Sequence, residues 1–250
     1  MGRLNLSFYL VVFTVLTLSS GCGSSKSDGE KNVVNSGFSW DQSKSVSLDC
    51  YGQDCDPSIV EIHTEWGDFK SRCSGVALND GILLTASHCL PPHFLKDRSC
   101  KDKVQIRSLS SQLTMECLRV QKMVDLSGVE RGALTSDFAV IEININLNFK
   151  SRFSMASNYQ PSLGDEFDIY WFKDGKTNRT LEVTQCASLN YNPFTGGGQT
   201  TGQSGWFVGP CSVVPGASGG AVTLRGTKKI IGVVSQSAED LTWAYISLLK

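Results

Sequence analysis

One serine of this chain stands in a sequence context that suits a nucleophile. Ser218 lies in the stretch PGASGGAV (215–222), between small residues and directly before two glycines. Glycines adopt backbone angles that other residues avoid, and they let a bound carbonyl come close to the main chain. In such a turn the backbone amides of Gly216 and Ser218 could point together at an oxygen that gains negative charge. Glycine–serine runs also form ordinary turns, so the pattern alone leaves both interpretations open.

A serine hydroxyl is a poor nucleophile unless a nearby base takes its proton, and this chain has three histidines to consider. His88 follows the apolar run 82–86 and precedes a cysteine, so it would lie where a strand ends. His63 lies inside an alternating run, which is typical of a sheet face without a catalytic role. His93 follows two prolines in a predicted loop. His88 is therefore the candidate base.

An imidazole base works best when a carboxylate holds its tautomer and stabilises the imidazolium. Asp137 begins the run DFAVIEI (137–143), so its carboxylate would lie at the mouth of a hydrophobic strand. Asp125 begins DLSG, a sequence typical of a turn, and is the weaker candidate. Together, Ser218, His88 and Asp137 would suit nucleophilic attack on a carbonyl carbon.

The motifs that contain these three residues resemble the signatures of one enzyme family. TASHC (85–89), DFAV (137–140) and PGASGG (215–220) are similar to the three signatures of the trypsin-like, chymotrypsin-fold serine peptidases. The order His, Asp, Ser matches that family and differs from the order in subtilisins and α/β-hydrolases. CSGVAL (73–78) resembles the strand that precedes the catalytic histidine, and the similarity extends over about 56–247.

The resemblance implies an all-β fold of two antiparallel six-stranded Greek-key β-barrels, with the active site in the crevice between them. His88 and Asp137 would come from the first barrel and Ser218 from the second. Short apolar or alternating runs agree with this fold. The predicted strands are 59–65, 70–78, 82–86, 104–109, 118–124 and 138–143 in the first barrel and 167–172, 181–186, 206–208, 221–224, 230–235 and 243–246 in the second.

The resemblance also implies a serine endopeptidase that needs neither a cofactor nor a metal. His88 would take the proton of Ser218 during attack, Asp137 would orient the imidazole, and the amides of Gly216 and Ser218 would form the oxyanion hole. Activity is expected to rise between about pH 6 and 8, because an imidazole acts as a base only without its second proton. The alternatives are an inactive homologue that binds peptides in the cell envelope and a purely structural envelope lipoprotein.

By the same resemblance, Ser212, Ser235 and Ser237 are the predicted substrate-binding residues. Ser212 would form the floor of the primary specificity pocket and carries no charge, so a preference for arginine or lysine is not expected. Val234 stands where glutamyl endopeptidases have a histidine, which argues against an acidic preference. Trp243 would narrow the rear of the pocket and favour small or medium apolar side chains.

The residue before the predicted nucleophile departs from the pattern of the animal enzymes. These enzymes have an aspartate there, which pairs with a new N-terminal amine after zymogen cleavage. In this chain the residue is Ala217. Activity is therefore not expected to depend on the release of an internal N-terminus.

The N-terminal sequence resembles a targeting segment. Arg3 gives a positive start, and the apolar run 6–18 is short for a membrane span. The run ends in LSSGC (18–22), which resembles the lipobox of bacterial lipoproteins with its leucine displaced by one position. We therefore predict lipidation of Cys22; an ordinary secretory signal, with Cys22 free or in a disulfide, is the alternative. Gly23 predicts, by analogy with lipoprotein sorting in diderm bacteria, an outer-membrane lipoprotein that faces the periplasm or the exterior.

These patterns divide the chain into three parts. Residues 1–21 are predicted to be a lipoprotein signal peptide. Residues 22–49 follow as the lipidated cysteine and a polar tether, too poor in apolar residues to fold alone. Residues 50–250 form the peptidase domain, with the first barrel at about 56–150 and the second at about 151–250.

The cysteine count favours disulfides in the peptidase domain. The chain has nine cysteines, and eight remain once Cys22 is set aside. A targeting signal implies an oxidising compartment, which disfavours the alternative of eight reduced thiols. The resemblance implies Cys73–Cys89, and the further expected pairs are Cys100–Cys117, Cys186–Cys211 and, by elimination, Cys50–Cys55.

The charge of the chain limits its partners. The formal net charge is −1, which gives no reason to expect a nucleic-acid partner. We expect a monomer whose partners are a protein or peptide substrate and, through the N-terminal lipid, a membrane.

Overall fold

A computed structural model describes most of the chain beyond residue 44. The described residues are 45–49, 55–108, 113–127, 136–145, 149–156, 158–174, 179–189, 192–193, 205–214, 216–238 and 243–249. Their strands are β1 (Ser45–Asp49), β2 (Ile59–Trp66), β3 (Phe69–Ala77), β4 (Ile82–Thr85), β5 (Val104–Ser108), β6 (Thr114–Met123), β7 (Ala139–Asn144), β8 (Ser154–Met155), β9 (Glu166–Asp174), β10 (Arg179–Ser188), β11 (Gly205–Gly209), β12 (Ala221–Leu224), β13 (Lys229–Ser237) and β14 (Ala244–Leu248).

Six antiparallel strands form the first barrel. It is closed in the order β2-β3-β4-β7-β6-β5. Strand β5 shows why the sequence folds this way: Val104 and Ile106 are buried, whereas Gln105 and Arg107 are exposed. Alternate residues of a strand point to opposite faces, so this pattern gives the barrel an apolar interior and a polar exterior. Ile62, Leu83 and Ile141 also lie in that interior.

Six further strands form the second barrel. The order β10-β11-β14-β13-β12-β9 closes on itself because β9 also pairs with β10. Its core contains Phe167, Trp171, Val222 and Val234. Two more strands are attached: β1 pairs antiparallel with β10, and the short β8 pairs parallel with β13. The prediction of two six-stranded antiparallel barrels is confirmed.

A hydrophobic cluster joins the two barrels. Ile59, Leu84 and Phe138 come from the first-barrel half of the chain and are buried against side chains of the second barrel. Phe172 and Val233 are the main partners from that barrel. Full burial of one such side chain contributes about 1.5–3 kcal/mol, so this cluster fixes one barrel against the other. Side chains from both barrels can therefore form one site.

Disulfides brace both barrels. The three described pairs are Cys73–Cys89, Cys100–Cys117 and Cys186–Cys211, as predicted. Cys55 is also disulfide-bonded. Cys50, its predicted partner, lies outside the described residues, so that pairing stays a prediction.

The N-terminal predictions fall mostly outside the described residues. This applies to the signal peptide, to Cys22 and to residues 23–44 of the tether. Residues 45–49, which the sequence assigned to the tether, form β1 instead, in register with β10 from Ser45↔Thr184 to Asp49↔Thr180. Within the described part of the chain, no helix has the length and apolar character needed to cross a membrane.

Candidate active site

His88 lies directly after the end of β4 in the first barrel. The short 3₁₀ helix Ser87–Cys89 follows that strand and holds His88 at its centre. The helix is fixed on both sides of the histidine: Ser87 Oγ donates to the carbonyl of Phe138 at 2.7 Å, and Ser71 Oγ donates to that of Cys89 at 2.6 Å. The imidazole side chain is 39% exposed. The backbone of His88 is therefore held on both sides, and its ring remains accessible to a substrate.

The carboxylate of Asp137 contacts His88 at two points. His88 Nδ1 lies 2.7 Å from Asp137 Oδ2, and the backbone N–H of His88 donates to Oδ1 at 3.1 Å. A carboxylate can only accept, so the proton of a neutral imidazole is held on Nδ1 and the lone pair of Nε2 is left for substrate chemistry.

Two serines of the second barrel complete the surroundings of this carboxylate. Ser235 Oγ donates to Asp137 Oδ2 at 2.6 Å, and the backbone N–H of Asp137 donates to Ser247 Oγ at 2.9 Å. Asp137 itself is only 4% exposed. Strands β13 and β14 thus hold an acid that precedes β7 of the other barrel.

Burial and hydrogen bonding act in opposite directions on Asp137. Burial alone would raise the pKa of its carboxyl, because it disfavours the charged form. The hydrogen bond and the charge of His88, together with the hydrogen bond from Ser235, outweigh burial and lower the pKa below its ordinary value. Asp137 is therefore an ionised partner for the imidazole at neutral pH.

Ser218 lies on a tight turn whose backbone is bonded to both barrels. The carbonyl of Ser218 accepts from the N–H of Ser74 on β3 at 2.8 Å, and the N–H of Gly219 donates to the carbonyl of Val234 on β13 at 2.8 Å. Gly219 has φ +77°, and a Cβ there would lie 2.2 Å from Thr85 Oγ1. Only glycine allows the turn to sit so close to the end of β4, three residues before His88.

The structure therefore brings the serine turn against the segment that carries the histidine. In the described part of the chain, no hydrogen bond joins Ser218 Oγ to the His88 ring. Such bonds are often long in structures without substrate and tighten when substrate binds, so this geometry is compatible with general-base catalysis.

Two amides of the turn donate no hydrogen bond within the described part of the chain. The N–H groups of Ala217, Gly219 and Gly220 donate to the carbonyls of Val214, Val234 and Ala217 respectively. By contrast, the N–H groups of Gly216 and Ser218 donate to none of the described residues. Gly216 has φ +101°, a left-handed conformation that favours glycine. An oxyanion hole needs such N–H groups to point at one position, so these two amides are its candidates.

The predicted specificity residues lie on two segments near this turn. Ser212 is half-buried and lies between the fully buried Cys211 and Val213. Ser237 ends β13 and pairs with Ala244. Ser235 is buried and its hydroxyl points at Asp137, so its side chain orients the acid. The predicted backbone contact of Ser235 with a substrate stays a prediction.

Trp243 packs into an aromatic cluster of the second barrel. Its ring meets that of Phe207 edge-on, with 5.6 Å between the ring centroids, and Tyr245 and Leu189 belong to the same cluster. Packing against Phe207 therefore fixes the position of the indole.

The other candidates of the sequence analysis have structural contacts of their own. His63 Nε2 lies 2.7 Å from Glu61 Oε1 on the same strand. His93 stacks on Trp66 with 4.6 Å between the ring centroids. Asp125 accepts the backbone N–H of Ser127 at 2.8 Å, as expected for a turn.

One group of three potential metal ligands occurs among the described residues, formed by Cys73, His88 and Cys89. Both sulfurs belong to the Cys73–Cys89 disulfide, so neither offers the thiolate that binds metals. This group does not make a metal site.

Sequence reasoning missed Ser74 and Ser247. Each is a buried serine in a strand, at 0% exposure, and each binds a backbone group of a predicted catalytic segment. The only signal in the sequence was a serine within an otherwise apolar strand, as Ser247 is in AYISL of β14.

Comparisons with known proteins agree with this architecture. The family model described as Trypsin matches residues 50–244. A search of the curated proteins finds no match. Among solved structures, the serine endoprotease from Yersinia pestis is similar at TM-score 0.52 and 18% identity, covering 84% of this chain and 62% of that one.

Two further solved structures give the same result. The VesB protease of Vibrio cholerae has TM-score 0.58 and 17% identity, covering 82% of this chain and 63% of that one. The thermostable serine protease AL20 from an extremophilic microorganism has TM-score 0.57 and 16% identity, covering 77% of this chain and 91% of that one. The chain thus spans less than two thirds of the length of the first two.

Two six-stranded antiparallel barrels packed together form the fold of the chymotrypsin-like serine proteases, and this chain has that fold. The family match covers most of the chain, and the protein belongs to the trypsin family.

Proposed function

We propose that this protein is a serine endopeptidase that cleaves peptide bonds with Ser218 as nucleophile, His88 as general base and Asp137 as the orienting acid. The observation that carries the proposal is the 2.7 Å contact of His88 Nδ1 with a buried, ionised Asp137. A serine turn lies beside this pair, and two of its amides donate to none of the described residues. A membership in the trypsin family supports it.

The reaction would proceed in two halves. Ser218 Oγ attacks the peptide carbonyl while His88 Nε2 takes its proton, and the resulting oxyanion is bound by the amides of Gly216 and Ser218. The C–N bond then breaks, His88 returns the proton to the leaving amine, and an acyl-enzyme remains. A water molecule, deprotonated by His88, hydrolyses the ester and regenerates the serine.

We propose small or medium apolar side chains at the position before the cleaved bond. Ser212 and Ser237 bring no charge to the predicted pocket, so neither would attract a charged side chain. Trp243, held by Phe207, adds bulk at its predicted rear wall. A peptide library with varied residues before the cleaved bond tests this preference.

We propose that the enzyme is a lipoprotein of the cell envelope, anchored through Cys22. The apolar run 6–18 and LSSGC at 18–22 support this location. Metabolic labelling with a fatty-acid analogue tests it: the label is expected on the wild type and absent from Cys22→Ala. Equal labelling of both proteins would show that Cys22 is not the lipidation site.

Labelling with a fluorophosphonate probe tests the enzymatic function. The purified, oxidised protein is expected to react, and Ser218→Ala is expected to remain unlabelled while keeping the fold. His88→Ala should label far more slowly than the wild type, because the serine loses its base. An unreactive wild type with its disulfides intact would instead support an inactive homologue that binds peptides.

A further inference from the structure

We infer that Ser74 is a positioning residue that fixes the oxyanion hole by holding the backbone of the nucleophile turn. This inference rests on the proposed function, because it assigns a task within the same reaction. Ser74 lies on β3 of the first barrel, and the turn that it holds belongs to the second.

The turn contains little that could hold it from within. Ser218 is the only polar side chain in PGASGG at 215–220, and its hydroxyl must stay available for the reaction. Ala217 is buried in the core of the second barrel and offers no hydrogen bond through its side chain. The orientation of the turn must therefore come from its backbone and from groups outside it.

Ser74 supplies two such contacts. Its hydroxyl donates to the carbonyl of Gly216 at 2.8 Å, and its backbone N–H donates to the carbonyl of Ser218 at 2.8 Å. The residue is itself fixed, because its hydroxyl accepts the N–H of Phe172 at 2.9 Å and its carbonyl accepts Thr85 Oγ1 at 2.8 Å. Ser74 thus connects β3, β4, β9 and the turn.

The direction of these hydrogen bonds is determined. A backbone N–H can only donate, so the hydroxyl of Ser74 accepts from Phe172 and must give its single proton to the carbonyl of Gly216. This bond fixes the peptide plane between Gly216 and Ala217. Ser74 is completely buried, so water does not compete for either partner.

That peptide plane lies between the two amides of the predicted oxyanion hole. The N–H of Gly216 precedes it and the N–H of Ser218 follows one residue later. Gly216 has φ +101°, and glycine has the widest backbone freedom of any residue type. Without the hydrogen bond from Ser74, the peptide between Gly216 and Ala217 could rotate. The hydroxyl of Ser74 therefore keeps both amides aimed at one point.

The test is the Ser74→Ala variant of the full chain, compared with the wild type and with Ser188→Ala. Ser188 is a matched control: it is buried in β10, and its hydroxyl accepts the indole N–H of Trp206 at 2.8 Å. Both substitutions remove one buried hydroxyl, but only Ser74 touches the turn. Ser74→Cys replaces Ser74→Ala if that variant does not fold, because a thiol fills the same space and is only a weak hydrogen-bond donor.

Loss of one oxyanion donor lowers kcat by about 100- to 1,000-fold, and a misaimed donor should cost less, so we expect Ser74→Ala to lower kcat by about 10- to 100-fold. KM should change by less than about threefold, because the hole acts mainly on the transition state. A peptide boronate forms a tetrahedral adduct on Ser218. Its inhibition constant should rise by about the factor by which kcat falls. Binding of a product peptide and the midpoint of the pH profile should stay unchanged.

Three results would overturn the inference: a kcat of Ser74→Ala within about twofold of the wild type, a change confined to KM, or an equal loss of kcat in Ser188→Ala. A wild type that does not react with fluorophosphonate would overturn the proposed function and this inference with it. A reactive wild type with an unaffected Ser74→Ala would overturn the inference alone.

Discussion

The hydroxyl of Ser235 lies 2.6 Å from the Asp137 carboxylate, so the second barrel directly holds the acid that orients the histidine of the first. The two residues are 98 positions apart in the chain. Because Ser218, the proposed nucleophile, also belongs to the second barrel, movement of one barrel against the other would disturb all three proposed catalytic groups together.

Ser235→Ala is expected to lower kcat/KM by about tenfold, because hydrogen bonds to charged groups are worth about 1.5–3 kcal/mol and part of the loss is recovered by relaxation. Steady-state kinetics with a peptide amide measure the effect. Ser188→Ala, which removes a buried serine away from the acid, should retain activity. Equal activity of Ser235→Ala and the wild type would mean that the contacts of Asp137 with His88 and Ser247 are enough to place the carboxylate.

Asp137→Asn should lower kcat by roughly 10,000-fold, because an amide does not hold the tautomer that leaves Nε2 free. It should also change the pH dependence of stability. The pKa of Asp137 is lower in the folded protein, so its stabilising contribution is present above the unfolded value of about 3.9 and is lost as the pH falls through the folded-state pKa.

Urea unfolding between pH 2 and 6 tests the second part of that expectation. The difference between wild type and Asp137→Asn should shrink as the pH falls below about 4. A difference that stays constant over this range would show that Asp137 does not contribute to the acid sensitivity of the fold.

Gly219→Ala should unfold or inactivate the protein. Its Cβ would lie 2.2 Å from Thr85 Oγ1 and 2.3 Å from the carbonyl of Ser74, at φ +77°. Overpacking and a left-handed alanine together should cost about 2–5 kcal/mol. Gly226→Ala is the matched control, since Gly226 has φ +69° with open space around its Cβ position. Thermal unfolding of both variants separates the collision from the backbone strain; equal losses would mean that strain alone accounts for the effect.

His93 should make the fold sensitive to mild acid. Its ring stacks on Trp66, and both ring nitrogens are buried without a hydrogen-bond partner among the described residues. Burial lowers the pKa of His93, and the nearby Lys103 ammonium lowers it further, whereas Asp97 acts in the opposite direction. The folded chain therefore binds this proton less readily than the unfolded chain. The contribution of neutral His93 is present above about pH 6.5 and is lost as the pH falls through its folded-state pKa.

Comparison of His93→Phe with the wild type between pH 5 and 8 tests this effect. Phenylalanine can keep the stacking but cannot be protonated, so the variant should lose less stability in acid. His63→Gln removes a different histidine, so this control should lose as much stability in acid as the wild type. The same acid slope in His93→Phe and the wild type would contradict the assignment.

The strands could be predicted from the sequence because their burial follows local patterns. All twelve predicted barrel strands overlap observed ones, and VQIRS of β5 alternates as its sequence indicates. Strand β1 was missed although SVSLD alternates polar and apolar residues, because this short run lies in a polar segment and pairs with β10, more than 130 residues away. An alternation of five residues is too short to distinguish a strand from a polar tether unless its distant partner is known.

The site was predictable only in part for a similar reason. The motifs around His88, Asp137 and Ser218 identified the candidates, and the structure brings the first two into contact. Ser74, Ser235 and Ser247 act through bonds between segments that are far apart in the chain. A serine has little preference that would mark such a position, so these roles become visible only in three dimensions.

The Cys73–Cys89 disulfide has a consequence for the proposed peptidase activity. It connects the strand that bonds to the Ser218 turn with the helix that carries His88, so a reduced chain would hold both less firmly. The proposed peptidase would therefore depend on the oxidised state of this pair for its full activity.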